Sequence, residues 1–577
     1  MKNIENLEKI TKGSKIFEDN RGKISNYELS EKINWVGMII SKKGSMRSNH
    51  YHKNLTQNCL LISGKYISLL KDLRVENSPI ITQVINSGDL STIPPMVVHV
   101  MIFLEDSVFI NLVNGERNHE NYGKGKEHTT PYRLITEEQK EDLLKNYKPD
   151  CRICGNDEMK IVFSLGLSPL ANNLLETGSQ KDELFPLEMC FCEKCYNSQL
   201  TYVCPPKKLF DNYLYLSSTG SSFRKHFEDA ADKYIKEFDL GKDSLVVDIG
   251  GNDSVFLLPM SKKGVQVVNV EPATNIANMS QERGIHTINK YFTSDVVNKI
   301  IKEKGMADLV TANNVFAHTD NIKQLTLDVF ELLKEDGTFI VECQYLLDTI
   351  NHLTFDNIYH EHVSYFSVMS LNNFFNNLGL VLYCVEHIDT HGGSIRCYIK
   401  RDIKYVNKFN IDGFLSQEKK FGLDKVGTYY KFAEKIEQKK EKILKNIKNL
   451  KREGKRLVGF GSPAKSTTVL NYYGIGIGYI DTILEDNELK HNKFLPAMRI
   501  PIKSKKELNY VPDYVLVLAW NFFDEIKKNN QDLVEKGVQF ITLNDLDTDK
   551  FLLPIPPKEI DDRINEEEDN FGDHSIF

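Results

Sequence analysis

Six of the ten cysteines fall between positions 151 and 204: Cys151, Cys154, Cys190, Cys192, Cys195 and Cys204. Cys151-Arg-Ile-Cys154 and Cys192-Glu-Lys-Cys195 are two CxxC pairs with 37 residues between them. Together they supply four soft thiolates, the set that a tetrahedral Zn²⁺ takes, and the intervening loop must fold back to bring them together. Cys190 is an alternative to Cys192, but the CxxC spacing selects Cys192. Four thiolates leave no open coordination position, so the predicted zinc site is structural.

The rest of the chain is ordinary in composition. At about 150 residues per domain, 577 residues predict roughly four domains. The 73 Lys and Arg against 80 Asp and Glu leave a net charge of −7, which steers neither nucleic acid nor membrane. No apolar run approaches the roughly 20 residues that cross a bilayer. The start, MKNIENLEKI, lacks the apolar stretch of a secretory signal. These features predict a cytoplasmic protein with neither nucleic-acid nor membrane partners, in which clustered cysteines hold metal rather than disulfides.

Periodicity divides the chain. Residues 1–135 read as short strands (Val36–Ser41, Cys59–Ile62, Tyr66–Leu70, Ile80–Val84, Val108–Val113), a β jelly-roll pattern. A linker at 136–150 holds the helix-like run Thr136–Tyr147, and the zinc module occupies 151–204. From 205 to 412 strands (Ser244–Ile249, Val265–Val270, Asp308–Ala312, Thr338–Val341) alternate with amphipathic stretches, predicting a Rossmann-like α/β domain. Residues 413–453 read as one Lys-rich linking helix with its apolar side against a neighbour. A second α/β pattern fills 454–556, and 557–577 form an acidic tail expected to be disordered.

Leu245-Val-Val-Asp248-Ile-Gly250-Gly251-Asn252-Asp253 is a strand running into a glycine turn, and Val267-Val-Asn-Val-Glu271 ends in an acid about twenty residues later. Glycines admit a ligand close to the backbone, and Glu271 is placed to accept ribose hydroxyls. NAD and S-adenosylmethionine (SAM) both fit that pattern. The turn is not GxGxxG, and Asp248 and Asp253 would repel a pyrophosphate but suit a cationic sulfonium, so SAM is favoured. Asn313 and His318 follow the fourth strand on the ligand face, His318 being either a substrate-side group or an idle loop residue. Tyr359-His-Glu361-His362 gathers a phenol, two imidazoles and a carboxylate, and histidine is the usual general base near neutral pH. Gly459-Phe-Gly461-Ser-Pro-Ala-Lys465 is either a phosphate-facing turn or a tight packing turn.

From Cys151 to about Leu546 the chain resembles the SAM-dependent sugar C-methyltransferases that act on nucleotide-linked 4-keto-deoxyhexoses. The blocks are CRICG, CEKC, SPLANN (168–173), LFDNYLYLSS (209–218), VVDIGGND, VEPA, IYHEHVSYFS, HGGSIR (391–396), GFGSPAKSTTVLNYYGI and LPAMRIPI, in one consistent order. One departure is Gly251-Asn-Asp-Ser254, where the family more often has Ser or Ala, then Asn-Asp-Gly. The resemblance implies C-methylation at carbon 3 through an enolate, with His362 as base. Glu361 and Tyr359 would orient base or sugar, with Tyr213 and His318 on the substrate side. It also implies that the second α/β unit helps to hold the nucleotide sugar, dTDP-linked by expectation, with His391, Ser394, Arg396 and Lys465 as candidate contacts.

The amino-terminal region resembles the sugar-nucleotide cupins, the dTDP-4-dehydrorhamnose 3,5-epimerases and dTDP-4-keto-hexose 3,4-ketoisomerases. The matching runs are Phe17-Glu-Asp19-Asn-Arg21-Gly22, Arg47-Ser-Asn-His50-Tyr-His52-Lys53, Asp72-Leu-Arg74 and Gly88…Pro94…His99. The resemblance implies His50 or His52 as a proton-transfer residue and Arg47 as a substrate contact. Three histidines could bind metal, but Gln57 stands where the usual acid follows HxH, which favours a metal-free site. The expectation is therefore a bifunctional enzyme, dimeric through the cupin. The alternatives are a methyltransferase whose degenerate cupin serves only dimerisation, and a zinc-stabilised NAD-dependent dehydrogenase.

Overall fold

The computed structural model describes residues 7–19, 22–29, 32–75, 78, 80–114, 129–211, 213, 216–218, 220–406 and 409–548. Arg21, in the first cupin run, and the acidic tail lie outside the described residues.

The amino-terminal region is a sandwich of two five-stranded antiparallel sheets, a jelly roll. One runs in the spatial order Lys9–Lys12, Asp89–Ile93, Gln57–Ser63, Ser107–Val113, Trp35–Ser41. The other runs Thr130–Pro131, Met46–Tyr51, Val97–Phe103, Lys65–Asp72, Ile81–Asn86. Residues of period two fill the space between them: Phe109 and Asn111 point inward, while Ile110 and Leu112 point away. The linker helix Glu137–Asn146 starts at a capping box, with Thr136 and Gln139 satisfying each other's backbone N–H groups.

The cysteine segment is not a freestanding module. Its strands Lys160–Pro169, Leu184–Phe191 and Ser198–Leu200 share a sheet with Ser364–Tyr365 from the methyltransferase-like region. Val162, Phe163, Met189 and Phe191 belong to one continuous core with both α/β units. A buried carboxylate, Glu188, ties the segment to the jelly roll. It accepts from Thr82 N–H at 2.9 Å, from the Thr82 hydroxyl, and from Thr201 Oγ1 at 3.1 Å.

The central sheet has seven strands, ordered Thr287–Ile288, Gln266–Val270, Leu245–Ile249, Ala307–Asn313, Leu333–Gln344, Ser394–Lys400, Val381–Ile388. The first five are parallel to one another, Ser394–Lys400 runs opposite to both of its neighbours, and Val381–Ile388 therefore runs with the first five. Strand order reverses at Leu245–Ile249, which pairs with Gln266–Val270 on one side and Ala307–Asn313 on the other. In such sheets ligands bind beyond the carboxyl ends of the strands at this point. The second α/β unit repeats the design with five parallel strands around Leu457–Phe460.

The expected single linking helix is two helices, Ile411–Phe421 and Val426–Arg452. Gly422, left-handed at φ 91°, ends the first by returning its N–H to Glu418 O. The second buries Tyr429, Phe432, Ala433, Ile436, Ile443, Ile447 and Leu450, a stripe at helical spacing. Phe432 meets Phe163 edge-on at 5.7 Å and Tyr429 stacks on Phe191 at 4.4 Å. At roughly 1.5–3 kcal/mol for each large side chain removed from water, this stripe makes the helix part of the core.

Candidate active site

The four predicted zinc ligands converge. Cys151 and Cys195 Sγ lie 3.4 Å apart, Cys154 and Cys192 Sγ 3.6 Å apart, and all four sulfurs lie within 4.8 Å of one another. Tetrahedral Zn–S bonds of about 2.3 Å put sulfurs roughly 3.8 Å apart, so the cluster fits the ion. Each knuckle turns its backbone around the site: Gly155 N–H bonds Cys151 O, and Tyr196 N–H bonds Cys192 O. Cys190 lies outside the set, its Sγ donating to Gln199 O.

At the switch point, Asp248 is buried and accepts from Thr311 Oγ1 at 2.6 Å and Asn313 Nδ2 at 3.2 Å. Burial pushes its pKa up to about 7 despite these bonds. Gly250 sits at φ 61°, and a Cβ there would lie 2.6 Å from Val315. Glu271 also rises to about 7 through burial; its two oxygens are held by Ala273 N–H at 2.8 Å and Asn252 N–H at 3.1 Å. Each oxygen keeps a further lone pair for a ligand hydroxyl. Asn252 accepts from Ser217 N–H at 3.0 Å. Asp253 is fully buried and pairs with Arg283 at 3.0 Å. A cradle with two buried carboxyls and no side chain at its glycines fits SAM, a cation carrying a ribose.

Ser254, at the family's glycine, adopts φ 62°. Its hydroxyl lies 2.5 Å from Ser280 Oγ and accepts from Asn269 Nδ2 at 3.1 Å. Asn269 also accepts from Gly251 N–H at 3.1 Å. A buried polar network thus holds the turn in place of the missing glycine. Asn269 was not singled out from the sequence, because within a strand an asparagine carries no motif.

The second cluster adjoins this turn through Val315. His318 and His362 stack with ring centroids 5.1 Å apart, and Phe210 also stacks on His318 at 5.7 Å. His362 Nδ1 is 2.8 Å from Asn357 O, and Nε2 is 2.9 Å from Tyr359 Oη. A carbonyl only accepts, so Nδ1 carries the proton and the Nε2 lone pair faces the phenol. Burial and the neighbouring His318 hold His362 well below 6.5, and burial takes His318 down to about 4. Both rings are neutral at pH 7. Glu361, raised to about 7 by burial, accepts from Tyr213 Oη at 2.8 Å and Asn172 Nδ2 at 2.5 Å. Tyr213 spans the two halves, since its carbonyl accepts at 2.8 Å from Asn275, on the helix that follows Glu271. Asn172 lies in the SPLANN block, whose matching order was the signal that could have found it.

The second α/β unit closes on the same region. Lys465 Nζ bonds His391 O at 3.3 Å and lies 4.6 Å from the Trp520 ring centroid, while Trp520 Nε1 donates to Asp356 at 2.7 Å. Trp520 and Asp356 carried no sequence signal, because only the docking of two distant segments makes them neighbours. Ser394 and Arg396 are not brought to the cluster. The Ser394 hydroxyl donates to Thr390 O at 3.1 Å, and Arg396 is paired with Glu342 at 2.8 Å inside the sheet.

In the jelly roll, His50, His52 and His99 form a second cluster with ring centroids 4.7–5.4 Å apart. His99 is buried, and desolvation holds it well below its usual pKa. His52 Nε2 is 2.9 Å from Gln57 Oε1. Arg47 does not bond this group: a bulge before His50 leaves both on the same face, but the Arg47 guanidinium reaches across to the opposing sheet, where it donates to Ser41 Oγ at 2.6 Å and Ile40 O at 2.9 Å.

Three family models match consecutive parts of the chain: a zinc binding domain at 151–210, a methyltransferase domain at 223–385 and a C-methyltransferase C-terminal domain at 389–543. C-methyltransferase NovU of Streptomyces niveus is 35% identical over 396 residues, 68% of this chain and 94% of that protein. Among solved structures, the sugar 3,4-ketoisomerase QdtA of Thermoanaerobacterium thermosaccharolyticum, in complex with TDP, is 21% identical. It covers 20% of this chain and 85% of its own, with a TM-score of 0.18. Magnesium protoporphyrin IX methyltransferase of Synechocystis, with bound SAM, is 11% identical over 31% of this chain and 79% of its own, with a TM-score of 0.24. The family match sets aside the dehydrogenase alternative that the glycine turn left open. With its zinc knuckles, donor cradle and carboxy-terminal α/β unit in one order, the chain belongs to the C-methyltransferase family of NovU.

Proposed function

We propose that the protein methylates carbon 3 of a nucleotide-linked 4-keto-deoxyhexose and that its jelly roll moves a proton beside the same ketone. The observation that carries this reading is the Tyr213 bridge, which ties the donor cradle to the Glu361–His362 loop. The ketone at carbon 4 acidifies the carbon 3 hydrogen. His362 Nε2 takes that proton, leaving an enolate whose carbon 3 attacks the SAM methyl group. The carbon–sulfur bond breaks, and its electron pair neutralises the sulfonium. Two neutral, buried histidines suit this step, since a base must be unprotonated when the substrate arrives. Glu361 and Tyr213 orient the sugar, while Lys465, His391 and Trp520 face its nucleotide end.

Mass spectrometry of products from SAM and a panel of dTDP-4-keto-deoxyhexoses tests the reading. Absence of methylated sugar and of S-adenosylhomocysteine with every nucleotide sugar would sink it. Gly250→Ala tests the cradle: Gly250 sits at φ 61°, and a Cβ there would lie 2.6 Å from Val315 Cγ2. SAM affinity by calorimetry is expected to fall at least about tenfold, the equivalent of 1.4 kcal/mol.

For the jelly roll, His50 and His52 are the proton-transfer residues. Deuterium entering carbon 5 from solvent identifies an epimerase, and migration of the ketone from carbon 4 to carbon 3 a ketoisomerase. His52→Asn is expected to stop either. If wild type does neither, the jelly roll only assembles the enzyme.

A second copy of the chain is the partner for the exposed face of Trp35–Ser41, an edge strand. Val36, Met38 and Ile40 are 61%, 71% and 61% exposed, and Leu112, Ile110 and Val108 lie opposite them in register. An aliphatic edge of this size suits burial against itself across a two-fold axis. Met38→Lys with Ile40→Lys is expected to convert a dimer to a monomer by light scattering; a monomeric wild type contradicts the pairing. No helix among the described residues is long and apolar enough to cross a membrane. The reduced thiolate site suits the cytoplasm.

A further inference from the structure

We propose that Arg152, inside the first zinc knuckle, is a positioning residue that fixes both histidine loops to the metal site. The inference rests on the reading of His362 as base. Arg152 lies between Cys151 and Cys154, yet its side chain leaves the knuckle and is only 3% exposed. Nε donates to Asp320 Oδ1 at 2.8 Å, Nη1 to Val363 O at 2.7 Å and Nη2 to Leu200 O at 3.1 Å. Asp320 is two residues beyond His318, and Val363 directly follows His362. One planar guanidinium therefore holds both loops.

The attachment is made twice over. Val363 N–H donates to Ala317 O at 2.9 Å, so the loops are bonded to each other where Arg152 grips them. Leu200 N–H donates to Val363 O at 3.0 Å, and Ser198–Leu200, which follows the second knuckle, pairs with Ser364–Tyr365. Arg152's own N–H donates to Gln199 Oε1 at 2.8 Å, locking its backbone to that strand. Zinc fixes the knuckle backbone, the knuckle fixes the guanidinium, and the guanidinium fixes the spacing of the two imidazoles. Lysine cannot reproduce this, because a single ammonium lacks the planar fork that meets three acceptors.

The test uses the full-length zinc protein with isotopically labelled histidine. Arg152→Ala is expected to keep its zinc by elemental analysis and its SAM affinity by calorimetry. Its His318 and His362 imidazole NMR signals should shift and broaden, and turnover should fall on the order of 100-fold, as misplacement of about 1 Å does. Arg152→Lys should leave the signals displaced, and free guanidinium should restore them in part. Asp320→Ala removes the acceptor of one arm without touching the zinc knuckle, and should move the His318 signal even if Arg152→Ala does not fold. Retained zinc with both histidine signals unmoved overturns the proposal, as does an unmoved His318 signal in Asp320→Ala. The NMR outcome is independent of turnover. A wild-type protein that methylates no sugar would sink the functional reading while leaving the clamp measurable.

Discussion

Replacing His362 with asparagine is expected to lower methyl transfer by about 10²–10⁴-fold, the range that a positioned general base contributes, with SAM affinity unchanged. Asparagine keeps a hydrogen-bonding group where Nδ1 meets Asn357 O and removes the Nε2 lone pair that faces Tyr359. The donor cradle is built from Asp248, Glu271 and the glycine turn, none of which bonds His362. Product mass spectrometry and calorimetry on the same preparation separate the two effects. Undiminished methylation would remove His362 from the base role. The pH profile follows from the same site. Burial, together with His318, lowers the His362 pKa below 6.5, so the base is unprotonated through the neutral range. The acid limb it produces should lie below pH 6.5. An acid limb above pH 7 tracking His362 would contradict this assignment.

Loss of zinc is expected to unfold the methyltransferase half. Structural zinc sites contribute on the order of 10–16 kcal/mol, against a net domain stability of about 5–15 kcal/mol. Removing the ion therefore matches or exceeds the whole margin. The effect should spread because the zinc strands have no separate core: Phe163 and Phe191 pack on the helix Val426–Arg452, and Ser198–Leu200 pairs with Ser364–Tyr365. Chelator titration followed by circular dichroism and tryptophan fluorescence should show one cooperative loss, with Trp35→Phe leaving Trp520 in the second α/β unit as the sole fluorescent reporter. Cys192→Ser should behave as a partial chelation. A zinc-free protein that keeps its melting temperature would assign the thiols another role.

The sequence by itself determined the local chemistry. The CxxC spacing named four cysteines whose sulfurs meet, because a two-residue gap places both thiols of a pair on one turn. Short strand-like runs located five of the ten strands in the two jelly-roll sheets, and the alternation of strands with helices located both parallel sheets, since each pattern reflects which faces must leave water. The residues of the Tyr359-His-Glu361-His362 loop were legible as contiguous ionisable groups. Other outcomes depended on contacts between segments far apart in sequence. Gly422 broke the expected single helix where a left-handed residue was needed. Arg47, Arg396 and Asp253 carry charge that reads as ligand-binding, yet each meets an internal partner that only the folded register supplies. Tyr213 and Asn172 reach Glu361 from 148 and 189 residues away. Periodicity reports burial one element at a time, whereas a site is a set of distances between elements, and those were fixed by how the sheets packed on a shared core.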